Sequence, residues 1–117
     1  MTKYNVEALQ TAMKSRANVV YINNTAANGA LYHIPPYVNL VIVTNSASYT
    51  QSLRLPSVAE SVGLTLTIMF PDFGGGGTVS DNDDSLSDWS DLTNNADNEY
   101  CVLFNDGRGW KVLVTDM

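Results

Sequence analysis

The sequence predicts a mainly β fold, a compact β-sandwich or jelly-roll-like domain of about seven or eight strands. Three observations predict it. Short apolar runs rich in Val, Ile, Leu and Tyr recur about every ten residues. Turn signals separate them, among them Asn28-Gly29, Pro35-Pro36 and Asn105-Asp106-Gly107. Charged residues are 15% of the chain, against about 25% in a typical soluble domain. Asn, Ser and Thr take their place, and their side chains bond to local backbone, which favours turns and strand surfaces. A length of 117 residues suits one domain. The organisation read from the pattern is an N-terminal helical segment at 1–17 and a single β domain at 18–117.

The helical segment comes first. Asn5 can act as N-cap. Val6, Leu9 and Met13 then share one helix face. Lys14 and Arg16 fall in the last turn, where cations oppose the helix dipole.

After it the period changes to two. Val19-Val20-Tyr21-Ile22 reads as a strand, with Asn23-Asn24 as its turn. Ala30 to Ile34 forms the next, stopped by Pro35-Pro36, since proline cannot donate to a ladder. Val38 to Thr44 is apolar on both faces after position 40, which predicts a central strand covered on both sides. Thr50 to Leu55 alternates, with Leu53 and Leu55 pointing inward. Ser57 and Glu60 have the spacing of a capping box, and Gly63 can supply a left-handed stop. One short capped helical turn is therefore predicted at 57–62. Leu64 to Phe70 follows as a strand with Leu64, Leu66, Ile68 and Phe70 on one face.

Residues 71–98 are less regular. Gly74 to Gly77 read as a hairpin tip, because glycine takes the positive φ such turns need. Thr78-Val79 can add a strand. Residues 81–98 hold six aspartates and four asparagines, with Leu86, Trp89 and Leu92 as the large anchors. A helical turn through those three and a surface loop both fit. The chain closes on a hairpin, Tyr100–Phe104 and Trp110–Val114 around Asn105-Asp106-Gly107.

The charge is divided along the chain. Net charge is −6. Residues 1–54 carry Lys3, Lys14, Arg16 and Arg54 against Glu7, whereas residues 55–117 carry eleven acids against Arg108 and Lys111. The acidic half argues against nucleic-acid binding, which needs basic surface against phosphates. No run approaches the ~18 apolar residues of a membrane span. The start of the chain lacks the basic and apolar stretches of a signal peptide, so synthesis in a cytoplasm is expected.

No catalytic, cofactor or metal site is expected. Cys101 lies alone in an apolar strand, where a lone thiol builds neither a disulfide nor a zinc site. His33 has no Gly-x-Ser-x-Gly elbow to serve. Gly74–Gly77 lack the Gly-Lys-Ser/Thr that grips phosphate. Asp81, Asp83, Asp84 and Asp88 offer hard oxygen ligands, but Leu86 and Leu92 stand where a calcium loop of the EF-hand type needs glycine and glutamate. The simpler reading is a solvated acidic loop. Tyr32 and Tyr37 flank the Pro-Pro turn and suggest a contact patch, since tyrosine favours interfaces.

Two local patterns carry a resemblance. One runs Leu53-Arg54-Leu55-Pro56-Ser57-Val58-Ala59-Glu60-Ser61-Val62-Gly63-Leu64, a strand, a Leu-Pro, a short turn and a glycine. The other is Asn105-Asp106-Gly107-Arg108-Gly109-Trp110. Together they resemble a β module of tailed-bacteriophage structural proteins, found in fibres and in small capsid decoration (cement) proteins. The resemblance spans about residues 38–115. It implies a virion structural protein, commonly a homotrimer, at the capsid surface and bound to the major capsid protein. A fibre normally carries a long shaft or repeats, and no internal repeat is visible in the sequence, which favours the decoration protein. The basic segment then faces the capsid, with Lys3, Tyr4, Leu9, Met13, Lys14 and Arg16 as its contact residues. The alternative is a receptor- or carbohydrate-binding domain of a tail fibre, with Trp89 or tyrosines stacking on sugar.

Overall fold

The computed structural model describes residues 18–24, 30–45, 49–72, 74, 76–86 and 89–117. Among these the chain forms nine strands and no helix. They are β1 (Val19–Asn24), β2 (Tyr32–His33), β3 (Leu40–Asn45), β4 (Gln51–Arg54), β5 (Thr65–Asp72), β6 (Gly77–Ser80), β7 (Leu92–Asn94), β8 (Glu99–Asn105) and β9 (Trp110–Thr115). The helix expected at 5–16 lies outside the described residues.

The strands build two mixed sheets. The larger has the order β1-β3-β5-β8-β9 and the smaller β2-β4-β6-β7. From β1 to β6 the chain alternates between the sheets at every strand, and within each sheet these strands pair parallel. The chain is therefore wound, and each coil lays one strand in each sheet beside the coil before it. A jelly roll pairs its strands antiparallel, so that part of the expectation gives way. A strand that returns to its own sheet by way of the other one arrives in the same direction and must pair parallel. Only β7, β8 and β9 turn back, pairing antiparallel and closing the far side of both sheets.

The winding exposes a repeat that the residue letters hide. Val19 pairs with Leu40 and Tyr32 with Leu53, both a step of 21 residues. At that step Val20 falls on Val41, Asn24 on Asn45, Ile34 on Leu55 and Pro35 on Pro56. The backbone repeats as well: Ile34 N–H donates to Arg54 O at 3.0 Å, and Leu55 N–H donates to Ser80 O at 3.0 Å. The second coil is longer, with 27 residues from Leu40 to its partner Thr67.

Both sheets contribute to one apolar core. Val41, Ile68 and Cys101 stand in line across the larger sheet and are fully buried, as are Leu53 and Val79 in the smaller. Leu66, Ile68 and Phe70 point inward from β5 as the alternation predicts, and Trp110 closes the end. Polar residues seal one corner of the winding. Asn24 and Asn45 are the buried last residues of β1 and β3, so Asn23-Asn24 continue the strand and are not its turn. The Asn24 amide donates to Asn45 Oδ1 at 3.2 Å and to Thr50 O; the Asn45 amide donates to Gly76 O at 3.0 Å. Stacked coils place identical side chains above one another, and asparagine amides then bond along the stack. Gln51 is buried too, with its amide on Ala30 O and Ser52 O.

The glycine run is not a hairpin tip, since β5 and β6 belong to different sheets. It is the corner between them. Gly74 and Gly76 take positive φ, and a Cβ on Gly77 would enter the space of the Phe70 ring. Phe70 is fully buried and has no room to give. Gly77→Ala is expected to cost about 1–3 kcal/mol, the usual range for overpacking, read as a lower urea midpoint. Asn45→Ala strips the corner of its amide and is expected to cost about 1–3 kcal/mol, the range for leaving buried partners unsatisfied. An unchanged midpoint in either variant would show that its corner is not tightly specified.

Candidate interaction face

The residues with the best chemical credentials lie in unlike surroundings. Cys101 is fully buried, and burial pushes its thiol up to about 12, so it stays protonated at neutral pH. His33 is exposed at the end of β2. Among the described residues no group of three His, Cys, Asp or Glu side chains could hold a metal ion. Also among them, no helix is long and apolar enough to cross a membrane.

The aspartates of residues 81–84 fasten a strap. Asp84 accepts from Ser57 Oγ at 2.8 Å, from Val58 N at 3.1 Å and from Ala59 N at 3.4 Å. It thus performs the capping expected of the Ser57–Glu60 pair. Residues 57–63 form successive turns, with Glu60 N on Ser57 O and Ser61 N on Val58 O. Asp81 accepts from Asn82 N, and Asp83 meets Arg54 at 3.5 Å. Asp88 lies outside the described residues.

The strap then crosses to the final hairpin. Leu86 N donates to Arg108 O at 2.9 Å, and Trp110 N donates to Ser85 Oγ at 3.1 Å. The Leu86 side chain is 75% exposed, so its anchoring is by backbone and not by apolar burial. Trp89 packs on the core, and its indole N–H donates to Trp110 O at 2.7 Å, so its ring belongs to the strap. Trp110 in turn donates from Nε1 to Pro56 O at 3.0 Å. Beneath them the buried Asn105 amide donates to Val58 O at 2.9 Å and to Ser61 Oγ at 3.0 Å. The Leu-Pro turn and the Asn-Asp-Gly-x-Gly-Trp hairpin, far apart in sequence, are thereby joined at one end of the core.

What remains open is the outer face of the larger sheet. Directly paired residues share a face. One row runs Tyr21, Ile42, Met69, Tyr100 across β1, β3, β5 and β8. The next row runs Val19, Leu40, Thr67, Val102, Val114 and reaches β9. Tyr21 is 75% exposed, Met69 41% and Val114 47%, whereas Leu40, Ile42 and Val102 are half-buried. At the rim Asp72 pairs with Thr44, and Lys111 pairs with Phe104. The outer face of the smaller sheet is polar by contrast. Its rows are Ser52, Thr78, Thr93 and His33, Arg54, Ser80. The doubly apolar pattern of β3 is thus real, but its second face meets no other described strand.

The sequence-predicted contact residues Lys3, Tyr4, Leu9, Met13, Lys14 and Arg16 all lie outside the described residues. Tyr32 and Tyr37 do not form one patch: Tyr32 packs on the core and Tyr37 is 67% exposed. The open sheet face was missed as a site, although the run of apolar residues from 40 to 43 was its signal. Comparison of the chain with protein-family models, with curated proteins and with solved structures finds no match.

The strap carries a pH dependence. Its donors, Val58 N–H foremost, hold the Asp84 carboxyl below its ordinary value of 3.8. Asp106 is held low in the same way by the Arg108 and Gly109 amides. A carboxyl depressed in the folded state stabilises it above the unfolded value, and that contribution disappears as pH falls through the folded one. The melting temperature is therefore expected to fall as pH drops below about 3.8. In Asp84→Ala the part of that fall owed to residue 84 should vanish, and stability at neutral pH should drop by about 1 kcal/mol, the typical cost of losing a cap. Parallel pH–melting curves for the two proteins check both.

Proposed function

We propose that the chain is a virion structural protein of a tailed phage, a capsid decoration protein that binds the outer surface of the shell and stabilises it. The observation that carries this reading is the apolar outer face of the five-stranded sheet, charged only at its rim, on an acidic chain. Such a face suits a protein whose task is to dock. The two patterns that carry the resemblance support the same reading, because they meet at one end of the core through Asn105 and Trp110.

The proposal includes a homotrimer, the major capsid protein as partner, and no catalysis, cofactor, nucleic acid or membrane. The basic segment 1–17, helical at 5–16, faces the shell, and the acidic residues 81–98 face solvent. The two sheets pack as a sandwich, wound over its first six strands. Localisation is the capsid surface after synthesis in a host cytoplasm.

The test is occupancy on purified particles. Quantitative mass spectrometry should find hundreds of copies on the shell, and removal of residues 1–16 should abolish rebinding to stripped capsids. A few copies confined to the tail would support the fibre reading instead. Rebinding unaffected by the deletion would refute the assigned contact segment.

A further inference from the structure

We infer that the outer face of the larger sheet is where copies of this chain pack against one another. The inference rests on the structural-protein reading and assigns it a self-association surface separate from the shell-binding segment.

Size argues for a large occupant. Five strands about 4.8 Å apart, with six residues at about 3.3 Å each, give a face of roughly 24 by 20 Å. Side chains standing on that plane raise the accessible area toward the ~800 Å² that one partner buries in a standard interface. A helix of the length marked by the pattern at 5–16 would be about 18 Å long and 10 Å wide. It would leave more than half of the face bare.

Charge argues in the same direction. The chain carries a net −6, so two copies repel wherever their acidic surfaces meet. Within the strands the Tyr21–Tyr100 and Val19–Val114 rows contain no charged residue; charge stands only at the rim, with Asp116 opposite Tyr100 at the β9 edge and Asp72 and Lys111 in the neighbouring rows. This is a surface on which like-charged copies can approach without stacking like charges. The N-terminal segment, with Lys3, Lys14 and Arg16 against Glu7, finds counter-charge only at the rim, at Asp72 and Asp116, and none within the two apolar rows.

Composition completes the case. Tyrosine and methionine are enriched in interface cores, and lysine and glutamate are depleted. The most exposed row of this face holds Tyr21, Met69 and Tyr100 and neither Lys nor Glu.

The test is the mass of the full-length protein in solution, by light scattering on a sizing column at micromolar concentrations. The wild type is expected at a multiple of 12.7 kDa, with three copies on the trimer reading. Tyr21→Lys combined with Met69→Lys alters two exposed side chains, and is expected to give the monomer mass while circular dichroism still shows the β fold. Ser52→Lys with Thr78→Lys, on the polar sheet, should leave the mass unchanged. Should the lysine pair on the larger sheet fail to fold, Tyr21→Glu alone, at the most exposed position, gives the same readout. A monomeric wild type, or an oligomer that survives the lysine pair, overturns the inference. So does a chain that self-associates only after residues 1–17 are removed, because that segment would then be the cover. A monomer that still coats capsids refutes this inference alone, and an oligomer that ignores capsids refutes the decoration reading alone.

Discussion

The Asn105 side chain is the point at which the two halves of the molecule are tied. It is fully buried, and its residue bonds across a boundary through both its backbone and its amide. Its backbone N–H reaches Leu64 O, its carbonyl receives Gly63 N–H, and its amide holds Val58 O and Ser61 Oγ. Its Oδ1 takes the Gly107 N–H that starts the hairpin turn. A buried amide is costly unless satisfied, and this one is satisfied only when the 57–63 turns and the β8–β9 hairpin are both in place. Trp110 adds the apolar weight, sealed between Pro56 O and the strap. The position of the strap, the entry of the chain into β5 and the closed end of the core all follow from that junction.

The opposite corner is held by the same chemistry used differently. Asn24 and Asn45 do not bridge distant motifs; they repeat. Each sits at the last position of a parallel strand, and the amide of one coil bonds to the next. Where the repeat ends, Gly76 offers a backbone carbonyl in place of a third asparagine. The lengthened second coil and the glycines of the third mark the change from winding to the antiparallel close.

Much of this was legible in the sequence, and the limits have physical causes. Alternation located β5 and the final hairpin almost to the residue, because period two reports burial directly. It gave Leu53 and Leu55 their facing. It could not say which sheet a strand joins, since inward-facing residues look alike in either sheet, so the reading of a sandwich or jelly-roll-like domain did not include the parallel winding. The 21-residue repeat escaped because only a few letters match and the second coil breaks the spacing. Asn24 was expected in a turn, and neither Asn45 nor Gln51 was assigned to the core, because only a partner from another coil makes their burial tolerable. Asp84 was counted as part of a solvated acidic loop; its target, the amides of Val58 and Ala59, lies some 25 residues back in the chain. The open face was half visible, as a strand apolar on both sides without any sign of what covers the second.

The winding has a consequence for how such a chain changes length. In the parallel part each strand pairs only with the coils before and after it, as in repeat proteins whose stability adds up from nearest neighbours. The register from Val19 to Leu40 and from Tyr32 to Leu53 is the same step in both sheets. Inserting or deleting one such step therefore adds or removes one strand in each sheet at once and leaves the Asn105 closure untouched. The Asn24–Asn45 stack would simply gain or lose a rung. A molecule built this way carries its own unit of growth, and its height is a quantity that duplication can alter in whole coils.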